Sequence, residues 1–322
     1  YVLQKDSDGK PNSDWLTSPR FELPKPSAYG VTIPTAKGLL CIGGCDAERC
    51  HTDVLRLQWS RGARELSIQR LPSLPRPLAF MAGAKVGEVI FLAGGKESMD
   101  GNATRNFWAL DLTEEEKPDG KLEWKELPAW PGQPRLLPLT AAQSDGENDC
   151  LFLFSGRNPR SGQPTELLFD TYKYDPRNST WARLADVSAD DGKPRCVMAG
   201  TCAPIGVAHI LVFGGADGQR FLEVEELNAR IAELEVKGED SNETNSSELA
   251  ELKTERIRFH EEHSGFSSDI LAYHVVTDTW TRLGEAREPF PVTTQAVEWN
   301  GGIVIPSGES SPGIRTAKVF LG

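Results

Sequence analysis

The sequence predicts an all-β fold, a β-propeller built from repeated four-stranded antiparallel sheets, with a helical insertion in one of them. Three observations carry that reading. An apolar strand ending in a small pair occurs five times, a second strand follows each pair, and three of the units continue into a strand with tryptophan at its start.

The five strands are "LLCIGG", "VIFLAGG", "CLFLFSG", "HILVFGG" and "GIVIPSG", ending at Gly44, Gly95, Gly156, Gly215 and Gly308. Their second glycines are separated by 51, 61, 59 and 93 residues. The last gap falls to the common spacing once a charged segment is set aside as an insertion. A unit of about 50 residues is the period of kelch propeller blades. Inner strands of radially arranged sheets converge on a channel, so the small pair is expected nearest the axis, where glycine allows close approach and a sharp exit. A sandwich of unrelated hairpins gives no reason for a fixed period.

The strands after the pairs read "DVLRLQW", "NFWALDL", "DTYKYDP", "DILAYHV" and "KVFLG". Trp124, Trp181 and Trp280 open the next strand of three units, and with the tyrosine of "KYDP" they are expected to fill the space between sheets. The fourth unit carries the exception, residues 221–263. Leu227, Ile231 and Leu234, then Leu249 and Leu252, follow helical spacing, with "KGEDSNETNSS" as a turn or link between them. Two amphipathic helices are expected here as an excursion from a single propeller domain spanning 1–322. They read as a solvated charged face, or alternatively as a lid or a contact for a homo-oligomer.

Charge narrows the partners. The formal net charge is −12, and Glu223–Glu262 alone holds thirteen acidic side chains against five basic ones, a balance of −8. No apolar run approaches the roughly 20 residues of a membrane-spanning helix. Neither nucleic acid nor a membrane is an expected partner. His51, His209, His260, His263 and His274 fall at different repeat positions without an HExxH pair, so no metal is expected. No GxGxxG before a helix and no Walker lysine points to a nucleotide, and no cofactor is expected. Of six cysteines, Cys45 and Cys50 flank a four-residue loop and could bridge, Cys196 and Cys202 straddle the start of a strand, and Cys41 and Cys150 read as core thiols.

Taken with the repeats, "SDILAYHVVTDTWTRLGE" and above all "SGESSPGIRT" resemble the kelch-propeller sialic acid mutarotases, the N-acetylneuraminate epimerases. "SAYGVTIPTAKGLLCIGG" and "VTTQAVEWNGGIVIPSGE" resemble their cyclically permuted branch. The resemblance covers nearly the whole chain. It implies six blades, one of them incomplete here, because "YVLQ" at the start reads as a third strand; roughly 50 residues would then precede it. The alternative is a five-blade ring in which residues 1–24 complete the sheet of residues 293–322. The resemblance also implies export, to the bacterial periplasm or beyond. It makes Glu309 the proton acceptor and sets Arg315 beside it, with N-acetylneuraminate as the small-molecule sugar acid bound.

Anomer exchange requires ring opening: the anomeric hydroxyl loses a proton, the ring oxygen gains one, and the ring recloses on the other face. A carboxylate in a partly dry channel suits the first task, and such acid–base help is worth about 10²–10⁴-fold. Arginine suits the substrate's carboxylate because its fork binds in bidentate fashion. The links "LPKPSAYG", "LPRPLAFM", "QPRLLPLT" and "KPRCVMAG" place Lys25, Arg76, Arg135 and Arg195 at one recurring position. If these face the channel they form a basic ring for an anion, and otherwise they brace neighbouring blades. Arg157, just after "LFSG", is a further candidate lining residue. The rival function is a kelch scaffold that binds protein or carbohydrate without catalysis.

Overall fold

The structure is a computed structural model and describes residues 2–5, 11–16, 22–60, 62–63, 65–160, 162–237 and 243–322. Strands β1 (Val2–Lys5) and β2 (Pro11–Leu16) pair with each other as a sheet of their own. Five further sheets follow, each made of consecutive antiparallel strands. The first is β3 (Val31–Thr35), β4 (Gly38–Ile42), β5 (Val54–Ser60) and β6 (Glu65–Arg70). The second is β7 (Ala79–Val86), β8 (Val89–Lys96), β9 (Phe107–Asp111) and β10 (Trp124–Glu126). The third is β11 (Leu139–Ser144), β12 (Asp149–Arg160), β13 (Gln163–Asp175) and β14 (Thr180–Leu184). The fourth is β15 (Thr201–Ile205), β16 (His209–Phe213), β17 (Asp269–His274) and β18 (Thr279–Glu285). The fifth has three strands, β19 (Val297–Trp299), β20 (Gly302–Ser311) and β21 (Ile314–Leu321). Together they make a five-bladed β-propeller.

First strands of successive sheets touch, β3 with β7, β7 with β11 and β11 with β15. The apolar cores lie between sheets. Val31, Leu40, Ile42, Ile90, Leu92 and Trp108 fill the first gap, and Phe107, Trp130, Leu151, Leu153 and Tyr174 the second. Phe152, Phe154, Val212, Tyr273 and Trp280 fill the third. The tryptophans anticipated from the repeats also lace the blades. Trp124 donates its indole N–H to Pro72 O (3.1 Å), Trp181 to Pro128 O (2.9 Å) and Trp280 to Ala185 O (3.4 Å), each a carbonyl on the chain leaving the preceding sheet.

The small pairs differ from expectation in place and in reason. Each lies within or just past the second strand of its sheet, while the channel is lined mainly by the first strands and the residues leading into them, and Gly43 alone of the ten pair residues reaches it. What the pair supplies is backbone freedom. Gly43 and Gly44 have φ of 59° and 92°, and Ser155 and Gly156 have 54° and 108°. Both residues sit in the left-handed region, which accounts for Gly-Gly or Ser-Gly at every repeat. A Cβ on Gly44 would also stand 2.6 Å from Ala28 O, and one on Gly215 would stand 2.5 Å from Val197 O.

A second left-handed position recurs at or just before the start of each channel strand. Tyr29, Phe80, Leu137, Ala199 and Thr293 have φ of 56°, 60°, 54°, 59° and 56°. From Phe80 onward, each donates its backbone N–H to the carbonyl of its predecessor, at 2.9, 2.8, 3.0 and 2.8 Å. These bonds run from blade to blade around one mouth of the channel.

Two helices occupy the connection between β16 and β17. They are α1 (Gln219–Lys237) and α2 (Glu243–Glu261), packed on each other with ion pairs Arg230–Glu248 (2.9 Å) and Lys253–Glu235 (2.7 Å). Ile231 and Leu234 are buried, as their spacing anticipates. The other end of α1 rests on β13: Glu225 accepts from Thr165 N–H (3.0 Å) and Thr165 Oγ1 (2.6 Å). No helix is long and apolar enough to cross a membrane among the described residues.

Candidate functional site

The residue that follows each small pair turns back toward the same mouth. Cys45, Arg157, Ala216 and Glu309 form isolated backbone bridges with Ala28, Leu136, Met198 and Val292, and Lys96 pairs with Ala79 in the same way. One slot per blade is thereby fixed beside the ring of left-handed residues. Three of the five slots hold charged side chains, Lys96, Arg157 and Glu309.

Glu309 is held from both sides by its backbone, exchanging two 2.9 Å bonds with Val292 and pairing in register with Arg315. The hairpin reverses at Pro312-Gly313, where Gly313 has φ of 74°, so Arg315 returns beside the glutamate as its spacing anticipates. Arg315 Nη2 stands 3.8 Å from Glu309 Oε1 and donates to Thr293 Oγ1 at 3.5 Å. The Glu309 side chain is 12% exposed and that of Arg315 49%. The carboxylate is sheltered and the guanidinium meets solvent.

Tyr29 completes the group. Its hydroxyl donates to Glu309 Oε1 at 2.8 Å, and its ring stacks on Phe80 with centroids 4.4 Å apart. Burial, then the hydrogen bond to Glu309 and that group's charge, push the phenol up to about 12, while Arg315 opposes the shift. The phenol therefore stays protonated and remains a donor at neutral pH. Tyr29 and Arg315 line a channel of about 730 Å³ whose walls are otherwise rich in small residues, among them Gly30, Gly83, Ala82, Ala142, Thr140 and Thr201. Such a volume suits a small-molecule ligand.

Arg157 is the other cation of the site. Its Cζ lies 4.0 Å from the centroid of Phe221, in the first turn of α1. Its Nε is buried without a hydrogen-bond partner, and no ion pair to it forms among the described residues. Burial lowers its pKa, against the pull of Glu225. A largely buried cation without an anion is costly unless a ligand supplies one. Lys96 stands 5.0 Å from the Phe80 ring centroid and donates to Met99 O.

The basic ring read from the links is corrected by the structure. Arg76 binds Glu97 at 2.8 Å and Asn106 at 3.0 Å, Arg195 binds Asp269 and Asp191 at 3.3 Å each, and Lys25 pairs with Asp53. Arg135, wholly buried, forks onto Asp170 at 3.0 and 2.9 Å and donates to Ser155 O at 2.9 Å. None of the four lines the channel. The physical reason lies in the third strands, where Asp53 and Asn106 just before β5 and β9, Asp170 within β13 and Asp269 at the start of β17 offer an acceptor that captures the incoming cation. Arg135 also stands two residues before its left-handed partner Leu137, whereas Lys25, Arg76 and Arg195 stand four before theirs.

Tyr29 and Lys96 carried no role in the sequence reading. Tyr29 touches a residue 280 positions away, which no local pattern reveals. Lys96 was legible in principle, since it follows Gly94-Gly95 as Arg157 follows Ser155-Gly156.

Fold and site together define a β-propeller with a phenol–carboxylate–arginine group at one channel mouth. A family model of N-acetylneuraminate epimerase matches residues 71–322, and the chain belongs to that family. It is similar to the N-acetylneuraminate epimerase of Haemophilus influenzae (strain PittEE), 27% identical over 256 residues, covering 79% of this chain and 59% of that protein. That of Pasteurella multocida (strain Pm70) is 24% identical over 255 residues, covering 78% and 58%. The chain thus spans under two thirds of the length of these relatives. The solved structure of YjhT aligns with a TM-score of 0.59 at 22% identity, covering 78% of this chain and 64% of that one, and it supports the propeller fold.

Proposed function

We propose that this chain carries the site of a mutarotase that interconverts the α and β anomers of N-acetylneuraminate. The observation that carries the reading is the sheltered Glu309 carboxylate, held by the Tyr29 hydroxyl and faced by Arg315 at the channel mouth. In this reading Glu309 takes the proton of the anomeric hydroxyl, the ring opens to the keto form, and the ring oxygen gains a proton. Reclosure on the other face returns the first proton, so nothing is consumed. Tyr29 holds the carboxylate in place and passes a proton between it and the sugar. Arg315 and Arg157 receive the substrate's carboxylate, Arg157 because its Nε is buried without a partner and no ion pair to it forms among the described residues.

The same reading takes the blades as kelch-type and the full ring as six, with β1–β2 belonging to the sixth. Residues 221–263 are a helical excursion from one propeller domain, and the protein works after export. The test is NMR of freshly released α-N-acetylneuraminate with catalytic amounts of protein. Anomerisation should run faster than in buffer, and Glu309→Gln should slow the catalysed part by about 10²-fold or more. A protein that binds the sugar acid but leaves its anomerisation at the buffer rate would be a binding scaffold, and the catalytic reading would fall.

A further inference from the structure

The turn after the first small pair reads Cys45-Asp-Ala-Glu-Arg-Cys50. His51 N–H donates to Gly44 O at 2.7 Å and Asp46 N–H donates to Arg49 O at 3.1 Å. These two bonds flank the antiparallel bridge Cys45–Cys50 and make the cysteines its facing, non-hydrogen-bonded partners. At such a pair the α-carbons lie about 4.5 Å apart and both side chains leave the same face. A disulfide spans roughly 4.4–6.8 Å between α-carbons.

Both thiols are buried, in a small cluster with Ala79 against Tyr29, Phe80 and Met99. The other cysteines in strands face different residues: Cys41 faces Thr32 and Leu55, Cys150 faces Gln143, and Cys202 faces Val212. Among the described residues, one cysteine pair is in register. We propose that Cys45 and Cys50 form an intramolecular disulfide that staples this turn to the mouth of the channel.

The reaction is a thiol–disulfide exchange with an oxidising disulfide, either a small molecule or the active-site disulfide of a thiol oxidoreductase. One thiolate attacks the oxidant's S–S bond and gives a mixed disulfide. The second thiolate displaces the oxidant's remaining sulfur. Two S–H bonds are lost, one S–S bond forms, and the oxidant leaves as two thiols carrying the two electrons and two protons. Burial, with repulsion from Asp46 and, for Cys45, from Cys50, outweighs the pull of Lys96 and raises both thiols in the folded chain. Exchange therefore belongs to folding, while the turn is open, and the finished bond is shielded from reductant afterwards. Cys45 exchanges two 2.8 Å backbone bonds with Ala28, the residue before Tyr29. The staple would fix the edge that carries the phenol.

The full chain is unfolded, refolded in excess oxidised over reduced glutathione, quenched in acid, denatured, alkylated and digested for mass spectrometry. The expected product is the peptide holding Cys45 and Cys50, unlabelled and two hydrogens lighter, with Cys41, Cys150, Cys196 and Cys202 alkylated. Complete alkylation of Cys45 and Cys50, or glutathione on either without an internal bond, would overturn the proposal. As a second measurement, reduction should lower the Tm of the parent and leave that of Cys45→Ser/Cys50→Ser unchanged; equal shifts in both would also overturn it. Neither readout uses mutarotation, so its failure leaves the catalytic reading intact, and the converse holds.

Discussion

Replacing Arg157 by methionine keeps most of the stem's bulk and removes a cation that the described residues leave without an anion. Nothing paired is broken, because its Nε has no partner and its contact is the Phe221 ring at 4.0 Å. Exchanging a buried ion for an apolar side chain of similar volume is often neutral or stabilising, so the unfolding free energy should hold or rise. Binding should behave in the opposite way. A hydrogen bond to a charged group is worth about 1.5–3 kcal/mol, so affinity for N-acetylneuraminate should fall about 10- to 150-fold. Arg135→Met is the matched control. It leaves Asp170 without the fork that holds it at 2.9 and 3.0 Å, and breaking a buried pair from one side costs about 3–5 kcal/mol. Urea unfolding followed by tryptophan fluorescence gives the stabilities, and titration calorimetry with the sugar acid gives the affinities. A stability loss at Arg157 as large as at Arg135, with affinity kept, would refute the assignment of Arg157 to the ligand.

Phe221→Leu removes the ring over Arg157, a contact worth about 0.5–2 kcal/mol, so KM should rise about 2- to 30-fold with kcat kept and with Phe221→Tyr restoring it. Tyr29 titrates from the ordinary 10.0 up to about 12 in the fold, so its contribution to stability is complete below pH 10 and lost as pH rises through 12. The stability gap between the parent and Tyr29→Phe should therefore narrow over that window, and a gap that stays constant would contradict the bond to Glu309. Burial raises Asp145, but Lys173 at 2.6 Å and the amides of Asn148 and Glu147 outweigh it and hold the carboxyl below its usual range. Asp145→Asn should thus cost stability at neutral pH, and the cost should fade in acid melts as pH falls below the ordinary 3.8.

The propeller was legible because its devices are local. A small pair whose two residues both take positive φ, and a tryptophan that reaches back to the previous blade, each recur at fixed distances from a strand, and residue type alone marks them. The helices were legible for the same reason, through Leu227, Ile231 and Leu234 on one face. The Glu309–Arg315 pair could be read too, since one hairpin with a Pro-Gly turn brings both to the same end.

Where sequence reading erred, it met cations whose meaning depends on a partner elsewhere. Arg76, Arg135, Arg195 and Arg157 all stand near the start of a channel strand or just past a small pair, and each is one positive charge with an apolar stem. Asp170 lies 35 residues beyond Arg135 and turns it into a brace, whereas Arg157 gains Phe221, an aromatic face that tolerates the cation and leaves its donors free. The fold therefore sorts its arginines by what the third strand and the helices bring to them. An acceptor on or just before the third strand consumes a cation for stability. A slot just past the small pair is bridged by backbone alone, and from these slots Glu309 accepts from the Tyr29 hydroxyl while Arg157 faces Phe221 and Lys96 faces Phe80. A net negative protein can in this way keep positive charge unpaired at one site while nearly every other cation named here is already paired.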